Sequence, residues 1–230
     1  MRALASLLAI AAVVTVAAAA IFDTVRGGSP RFPSSVRGEL VYSDASCHRH
    51  AIRLPGLARH DFLTVGCGVF TRHDNLGVRN GAVAWFAYPG RLGTTTLLPR
   101  RAVPPGATVE SVAWLGGPRF AAVLAPSGEV TVWQKRRRLS SATVGAVTEL
   151  RSSPRATYFA AQGHGVVSVL DRSGRPLWEA AGRAIAWSPD EQYVAVARPS
   201  ELSILRAGDG HRVARLAVRA TDVDWRTLEP

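Results

Sequence analysis

The residues best suited to chemistry lie in one short stretch of the chain. Both thiols and most of the imidazoles fall there: Cys47, His48, His50, His60, Cys67 and His73. Zinc prefers such ligands, but this spacing matches no established zinc pattern, so we assign no metal ligand. The other chemistry open to two thiols is a disulfide. A bond between Cys47 and Cys67 would close a loop of about 20 residues, stabilise the fold by roughly 3 kcal/mol and require an oxidising compartment.

Positive charge is the second chemical feature. The chain has 28 Lys and Arg against 17 Asp and Glu, a net charge of +11. Lys135 is the sole lysine, and such reliance on arginine is typical of a GC-rich genome, so we interpret the chain as bacterial. The densest run, Lys135–Arg138, suits anionic lipid head groups, an envelope polymer or an acidic protein, and a solvated turn is the alternative. Without a basic helix or stacking-sheet signature, no nucleic-acid partner is predicted.

Catalytic motifs are missing from the sequence. There is no G-x-S-x-G elbow, phosphate-binding P-loop, H-E-x-x-H pair or dinucleotide-binding glycine fingerprint, and we predict no cofactor. Two carboxylates, Asp222 and Asp224, alternate along one strand and would share a face. Because paired carboxylates carry out glycoside hydrolysis, a carbohydrate-active enzyme is the alternative to a chain without catalysis.

The elements that must position these residues are short strands in a repeat. The segment 184–218 has four apolar, β-branched runs separated by clusters of Pro, Gly, Ser and Asp, which is typical of strands and tight turns. The runs are Ala184–Trp187, Tyr193–Ala197, Leu202–Arg206 and Val213–Val218. Similar units begin near Cys67, Val112 and Val147. Their spacing of roughly 35–45 residues is the period of propeller blades with four strands each.

One of these units carries a family resemblance. Trp187-Ser188-Pro189-Asp190, followed by Tyr193-Val194-Ala195-Val196, resembles the repeats of WD40-like and TolB-like β-propellers. The resemblance covers about residues 39–226. It implies an all-β propeller that serves as a binding platform.

The two ends of the chain complete each other. Thr221–Trp225 is typical of a first strand with no blade after it, whereas Glu39–Ser43 opens a set of three strands that lack a first. If the C-terminal strand completes the N-terminal three, the ring closes on a shared blade and has five blades, or four if the copy at 67–98 is not one. Closure would also remove free sheet edges.

Strand alternation then assigns these residues to faces. Cys47 and Cys67 fall on one face of adjacent blades, which favours the disulfide. The turns from first to second strand and from third to fourth strand share a face, where basic residues form a predicted rim. Its members are Arg72, His73, Arg119, Lys135, Arg136, Arg137, Arg138 and Arg155.

The N-terminal segment is apolar. Ala3–Phe22 holds no charge and, at 1.5 Å per residue, spans about 30 Å, the thickness of a bilayer core. We interpret residues 1–25 as an uncleaved membrane anchor, and cleavage after the small residues Ala18–Ala20, which would give a secreted protein, is the alternative. Residues 26–38, rich in Gly, Pro and Ser, are a predicted linker, and residues 39–230 are the propeller.

Together these features predict a non-enzymatic binding or scaffold module. It would be tethered to the cell membrane on the extracytoplasmic side and would present propeller loops to a protein or an anionic envelope polymer. Two alternatives are a carbohydrate-active enzyme with paired carboxylates near the propeller channel and a structural subunit of an envelope complex. The subunit would expose an apolar patch of several hundred Å².

Overall fold

A computed structural model describes residues 32–65, 75–79, 83–88, 91–96, 108–125, 127–135 and 137–228. All regular elements in these ranges are β-strands, as the short apolar runs between turn clusters predict. Within the same ranges there is no helix with the length and apolar character needed to cross a membrane. The predictions for residues 1–31, the anchor among them, lie outside the described residues.

The structure describes nineteen strands, and their mean length is five or six residues. They are β1 (Gly38–Ser43), β2 (His48–Leu54), β3 (Ala58–Val65), β4 (Asn75–Arg79), β5 (Val83–Tyr88), β6 (Arg91–Thr96), β7 (Thr108–Trp114), β8 (Arg119–Ala125), β9 (Glu129–Gln134), β10 (Arg137–Thr143), β11 (Glu149–Ser152), β12 (Tyr158–Gly163), β13 (Val166–Asp171), β14 (Pro176–Ala181), β15 (Ala184–Trp187), β16 (Tyr193–Ala197), β17 (Leu202–Arg206), β18 (Arg212–Leu216) and β19 (Asp222–Arg226).

The described strands form antiparallel sheets of four, with one of three. Sheet 1 has the order β19-β1-β2-β3, sheet 2 is β4-β5-β6, sheet 3 is β7 to β10, sheet 4 is β11 to β14 and sheet 5 is β15 to β18. The all-β class and the four-stranded units predicted from the sequence are therefore confirmed. A first strand for sheet 2, predicted around residues 67–70, lies outside the described residues, and the number of blades stays a prediction.

Sheet 1 joins the two ends of the described chain. β19 pairs antiparallel with β1, with Trp225 opposite Leu40 and Val223 opposite Tyr42. The indole Nε1 of Trp225 donates to the carbonyl of Arg37 at 3.0 Å. The predicted pairing of the C-terminal strand with the N-terminal three is thus confirmed.

The first described strands of the sheets lie side by side. β4 contacts β7, β7 contacts β11, and β15 contacts β19. The side chain of Arg151 links β11 to β15 through a hydrogen bond to the carbonyl of Ile185 at 2.9 Å. This is the arrangement of inner strands in a propeller.

The hydrophobic core lies between neighbouring sheets. One cluster packs sheet 1 against sheet 5 around Leu40, Ile204 and Trp225. A second packs sheet 3 against sheet 4 around Phe159, which is fully buried, and a third packs sheet 4 against sheet 5. The middle strands of sheet 5 therefore bury both faces over most of their length, which explains the nearly continuous apolar runs in β16 and β17.

Residues 32–37, which fall in the predicted linker, pack against this core. Val36 is fully buried and Phe32 contacts the same cluster. The hydroxyl of Ser35 hydrogen-bonds that of Tyr193 at 2.8 Å. Two apolar residues in a Pro- and Ser-rich stretch give no periodic signal, so sequence alone did not reveal this contact.

The basic run Lys135–Arg138 lies at the connection between the third and fourth strands of sheet 3, as predicted, but its last two residues belong to a strand. Arg137 pairs with Gln134 and Arg138 with Trp133, so both lie in β10. A bulge between Arg138 and Ser140 lets the pairing begin this early. Only the start of the run forms the connection between β9 and β10.

Candidate functional site

One face of sheets 3, 4 and 5 is built from pairs of joined turns. In each sheet the residue after the third strand donates its N–H to a carbonyl in the first-to-second-strand turn. The three bonds are Lys135 to Pro118 at 3.0 Å, Arg172 to Thr157 at 3.1 Å and Ala207 to Gln192 at 2.9 Å. We call this surface the turn face, made of residues 115–119, 135, 153–157, 172–175, 188–192 and 207–211. The repeat thus holds the two kinds of turn together, as strand alternation requires.

Members of the predicted basic rim divide among several environments. Arg119, Lys135 and Arg155 lie on the turn face, and Arg137 is exposed at the start of β10. The guanidinium of Arg138 instead turns away and pairs with Glu129 at 2.5 Å. Arg72, His73 and Arg136 lie outside the described residues, so the rim as a binding surface stays a prediction.

Arg172 joins the turn face and was missed by the sequence analysis. It follows β13 at the position that Lys135 occupies after β9. Its Nη2 lies 3.4 Å from the carbonyl oxygen of Gly116, in the neighbouring sheet. The sequence signal that could have identified Arg172 is its position in the repeat, which matches the position of Lys135.

The turns between the first and second strands of sheets 4 and 5 have the same internal hydrogen bonds. The hydroxyl oxygen of Ser153 accepts from the N–H of Tyr158 at 3.0 Å, and that of Ser188 accepts from Tyr193 at 2.9 Å. The main-chain N–H of each serine donates back to the same tyrosine. This geometry confirms the repeat match between the two Ser-Pro sequences.

The fourth residue of each of these turns adopts a left-handed conformation. It is Ala156 in sheet 4 (φ 58°) and Glu191 in sheet 5 (φ 61°). Glu191 is buried, and its Oε1 accepts a hydrogen bond from the main-chain N–H of Arg155 in sheet 4. A carboxylate thus bridges sheets 5 and 4, whereas Ala156 has no group to offer to sheet 3.

A charged cluster joins the first strands at the opposite end of the sheets. The guanidinium of Arg151 (β11) pairs with Glu149 at 2.7 Å and with Asp222 (β19) at 3.6 Å. The other carboxylate oxygen of Glu149 accepts from the Gln162 amide at 3.3 Å. Because the carboxylate oxygens of Glu149 and Asp222 already have partners, we interpret the cluster as a set of ion pairs that holds the inner strands together. We call this set the clasp.

Asp224, the second member of the predicted carboxylate pair, has a different partner. Its Oδ2 lies 3.0 Å from the Nε of Arg226, on its own strand. Asp222 and Asp224 are thus bound to two separate arginines. This arrangement does not favour the glycosidase alternative, which requires two carboxyl groups facing one sugar.

The histidine-rich stretch holds one imidazole between two carboxylates. His50 Nδ1 lies 2.6 Å from Asp61 Oδ1, and its Nε2 lies 3.3 Å from Asp44 Oδ2. The ring also stacks on Tyr42, with centroids 5.1 Å apart. The hydrogen bond to Asp61, assisted by Asp44, raises the pKa of His50 above its ordinary value. Among the described residues, no group of His, Cys, Asp or Glu side chains has the geometry of a metal site.

Replacing His50 should change how stability depends on pH. Because the folded pKa of His50 is raised, its ion pairs stabilise the fold fully below the unfolded pKa of about 6.5, and this contribution is lost as pH rises through the folded pKa. We expect His50→Gln to lower the unfolding free energy by about 0.5–1 kcal/mol near pH 5.5 and by less near pH 9. Urea denaturation at both pH values measures this.

His211 offers a matched control for that experiment. It is exposed in a turn of sheet 5, and in the described residues no carboxylate lies in ion-pair reach of its ring. His211→Gln should leave the pH profile of stability unchanged. Equal profiles for the two variants would contradict the role assigned to His50.

Cys47 lies in the β1–β2 turn, a few residues before His50 in the sequence. It is half-buried and has a left-handed backbone (φ 64°). The oxygen Oδ1 of Asp44 holds the turn by accepting from the N–H groups of Ser46 and His48, both at 2.9 Å. Cys67 lies outside the described residues, so the disulfide stays a prediction.

Exposed large apolar side chains are scattered over the described surface. They are Leu139, Val166 and Leu228, on or beside three different strands. Single exposed apolar residues are normal in soluble domains. In this part of the chain they do not form the patch expected of an envelope-complex subunit.

Comparison with known proteins identifies the fold. No family model matches the chain, and no curated protein matches its sequence. The Cps50 (Swd1) β-propeller domain of Myceliophteria thermophila aligns with 83% of this chain and 74% of its own, at 14% identity and a TM-score of 0.50. A eukaryotic initiation factor aligns with 79% of this chain, at 15% identity and a TM-score of 0.50. The match spans 52% of that factor. The described part of this chain therefore has the β-propeller fold, built from four-stranded antiparallel sheets.

Proposed function

We propose that this chain is a non-enzymatic binding module that holds an acidic protein partner on its turn face. The observation that carries the proposal is a group of basic side chains that lie on joined turns of neighbouring sheets. Four basic side chains on the turn face have no carboxylate within ion-pair distance among the described residues: Arg119, Lys135, Arg155 and Arg172. Elsewhere some arginines have such a partner, for example Arg138, Arg151 and Arg226.

The physical reason is that these four side chains, which have no carboxylate partner among the described residues, lie on joined turns of two neighbouring sheets. Arg119 and Lys135 share a turn pair of sheet 3, and Arg155 and Arg172 share one of sheet 4. Like charges in proximity raise the local potential, which attracts anions and speeds their association. Screening over about 8 Å at physiological salt limits the effect to direct contact, so the partner must place acidic groups on this face.

Neutralising these charges tests the proposal. We expect Lys135→Gln/Arg155→Gln/Arg172→Gln, in the full chain, to weaken capture of the partner from its native membranes about tenfold at low salt, because three exposed ion pairs are worth roughly 0.6–3 kcal/mol together. Quantitative mass spectrometry of the captured proteins measures the loss.

The control removes the same charge from elsewhere. Arg183, Arg215 and Arg219 are exposed outside the turn face, so Arg183→Gln/Arg215→Gln/Arg219→Gln should retain the partner. Loss in both triple variants would attribute capture to net charge. Full retention by the turn-face variant would refute the proposal.

The location of the module is also part of this proposal. We infer a single membrane anchor in residues 1–25, or a cleaved signal peptide, and an extracytoplasmic domain with a Cys47–Cys67 disulfide. Support comes from the uncharged run Ala3–Phe22 and from the pair of cysteines in a chain that has only two. Maleimide labelling of the folded, non-reduced protein should leave both thiols unmodified. Modification of both would overturn the compartment and the disulfide together.

A further inference from the structure

We propose that the junction between sheets 3 and 4 on the turn face is a seat for one carboxylate of the acidic partner. The seat is formed by Gly116, Gly117 and Arg172. The inference rests on the proposed function, since it names the point where the partner makes its most specific contact. It comes from comparing this junction with the equivalent junction between sheets 4 and 5.

The junction between sheets 4 and 5 already contains a carboxylate. Glu191 extends from the sheet 5 turn, and its Oε1 accepts from the N–H of Arg155 in the sheet 4 turn. Glu191 is only 7% exposed, so its carboxylate is built into the structure. An anionic oxygen at a turn N–H is a charge-assisted bond, stronger than a neutral one.

At the junction between sheets 3 and 4, the same position lacks a carboxylate. Ala156 replaces Glu191 in the repeat, with nearly the same backbone angle. It faces the sheet 3 turn directly, since a Cβ built on Gly116 would lie 3.8 Å from the Ala156 Cβ. The acidic group that bridges one junction is therefore an apolar methyl group at the other.

The sheet 3 turn presents donors at this point. Gly116 and Gly117 both have positive φ, 77° and 57°, and the described residues offer no acceptor for either N–H. Gly117 is the third residue after β7, as Arg155 is the third after β11, although the sheet 3 turn is one residue shorter. It has open space where a side chain would project. Backbone N–H groups in such turns form concave sites that favour anions.

Arg172 adds a guanidinium to these donors. Its Nη2 would lie 3.5 Å from a Cβ built on Gly116, and Arg119 and Lys135 flank the same turn. A planar guanidinium beside backbone donors matches the two oxygens of a carboxylate. We commit to a Glu or Asp side chain of a protein segment as the occupant, because the built-in Glu191 shows that the equivalent junction accepts a carboxylate.

Ala156→Glu is the central test, because it copies Glu191 into the empty position. The left-handed backbone already holds a glutamate in sheet 5, so the variant should fold with unchanged or higher stability. Its carboxylate would occupy the Gly117 N–H and neutralise Arg172. We expect about tenfold weaker binding of a short fluorescent poly-glutamate peptide to the full chain at low salt, measured by anisotropy. Arg172→Gln should weaken binding by a similar factor.

Matched controls separate the seat from net charge. Ser200→Glu makes the same charge change in an exposed turn outside the turn face, and Arg183→Gln matches Arg172→Gln. Both should change affinity less than about twofold. Equal losses in seat and control variants would overturn the seat. The proposed function is then judged separately, by whether the turn-face triple variant still loses its partner.

Competition with other anions tests whether the seat prefers a carboxylate. Inorganic phosphate, a phosphoserine peptide and neutral micelles doped with phosphatidylglycerol are offered as competitors. Displacement by poly-glutamate at the lowest concentration supports the carboxylate assignment. Tight binding of phosphate or of anionic lipid with no binding of poly-glutamate overturns it, as does the absence of any peptide binding to the unmodified chain.

Discussion

A chain that ends at Ala220 should lose its cooperative unfolding transition. The deletion removes β19, whose Val223 and Trp225 are 0% and 5% exposed, and leaves the edges of β1 and of the inner strand β15 uncovered. Loss of a buried tryptophan alone costs about 3–5 kcal/mol, and the remaining strand contacts add to this. The sum approaches the whole stability of a typical domain, about 5–15 kcal/mol.

Urea denaturation followed by circular dichroism, with limited proteolysis, measures this loss. A chain that ends at Leu228 is the matched control, because it keeps β19 and removes only the last two residues, Glu229 and Pro230. It should unfold like the full chain. A cooperative transition of equal midpoint in the chain that ends at Ala220 would show that sheet 1 does not need its C-terminal strand.

Arg151→Met should destabilise the fold by about 2–3 kcal/mol. The arginine side chain is 14% exposed and lies between Glu149 and Asp222, while a third bond reaches the carbonyl of Ile185. Methionine keeps the apolar stem and removes the guanidinium. Two carboxylates and a carbonyl on three inner strands then lose their shared donor, and the two negative charges repel each other.

Equilibrium unfolding with a double-mutant cycle measures the clasp. Adding Asp222→Asn to Arg151→Met should cost little more, because the pair is already broken. Arg175→Met is the control: Arg175 is 75% exposed, and Asp171 in its own turn is its one ion-pair partner among the described residues, so the cost should stay below about 0.5 kcal/mol. Equal costs for the two arginine variants would contradict the clasp.

Much of the fold could be predicted because it depends on local signals. Apolar runs and turn residues predicted most strands of sheets 1, 3, 4 and 5, and the bounds of β15, β16 and β17 agree with those predicted. The repeat of Ser153-Pro154 and Ser188-Pro189 predicted two turns with the same hydrogen bonds. The shared sheet followed from counting: one end of the chain had a surplus strand and the other end lacked one.

The candidate site was predictable only in part. Alternation placed Arg119, Lys135 and Arg155 on the turn face, since turn position depends on strand direction alone. It also grouped Arg138 with them, although the side chain of Arg138 turns back to Glu129. Arg172 was missed because its one sequence signal, the match to the Lys135 position in the repeat, does not show that its guanidinium reaches Gly116 in the neighbouring sheet.

The sequence by itself determined the strands, the turns, the four-stranded repeat and the partnership of the two ends, because each depends on residues close together or on a count of units. Only the tertiary structure decided which charged side chains have partners on a neighbouring sheet. The Glu191 carboxylate binds the main-chain N–H of Arg155, the Arg151 guanidinium pairs with Asp222, and that of Arg172 donates to the Gly116 carbonyl. The physical reason is that such contacts depend on how neighbouring sheets pack and twist against each other, and no periodicity along the chain encodes the distance between two side chains on different sheets.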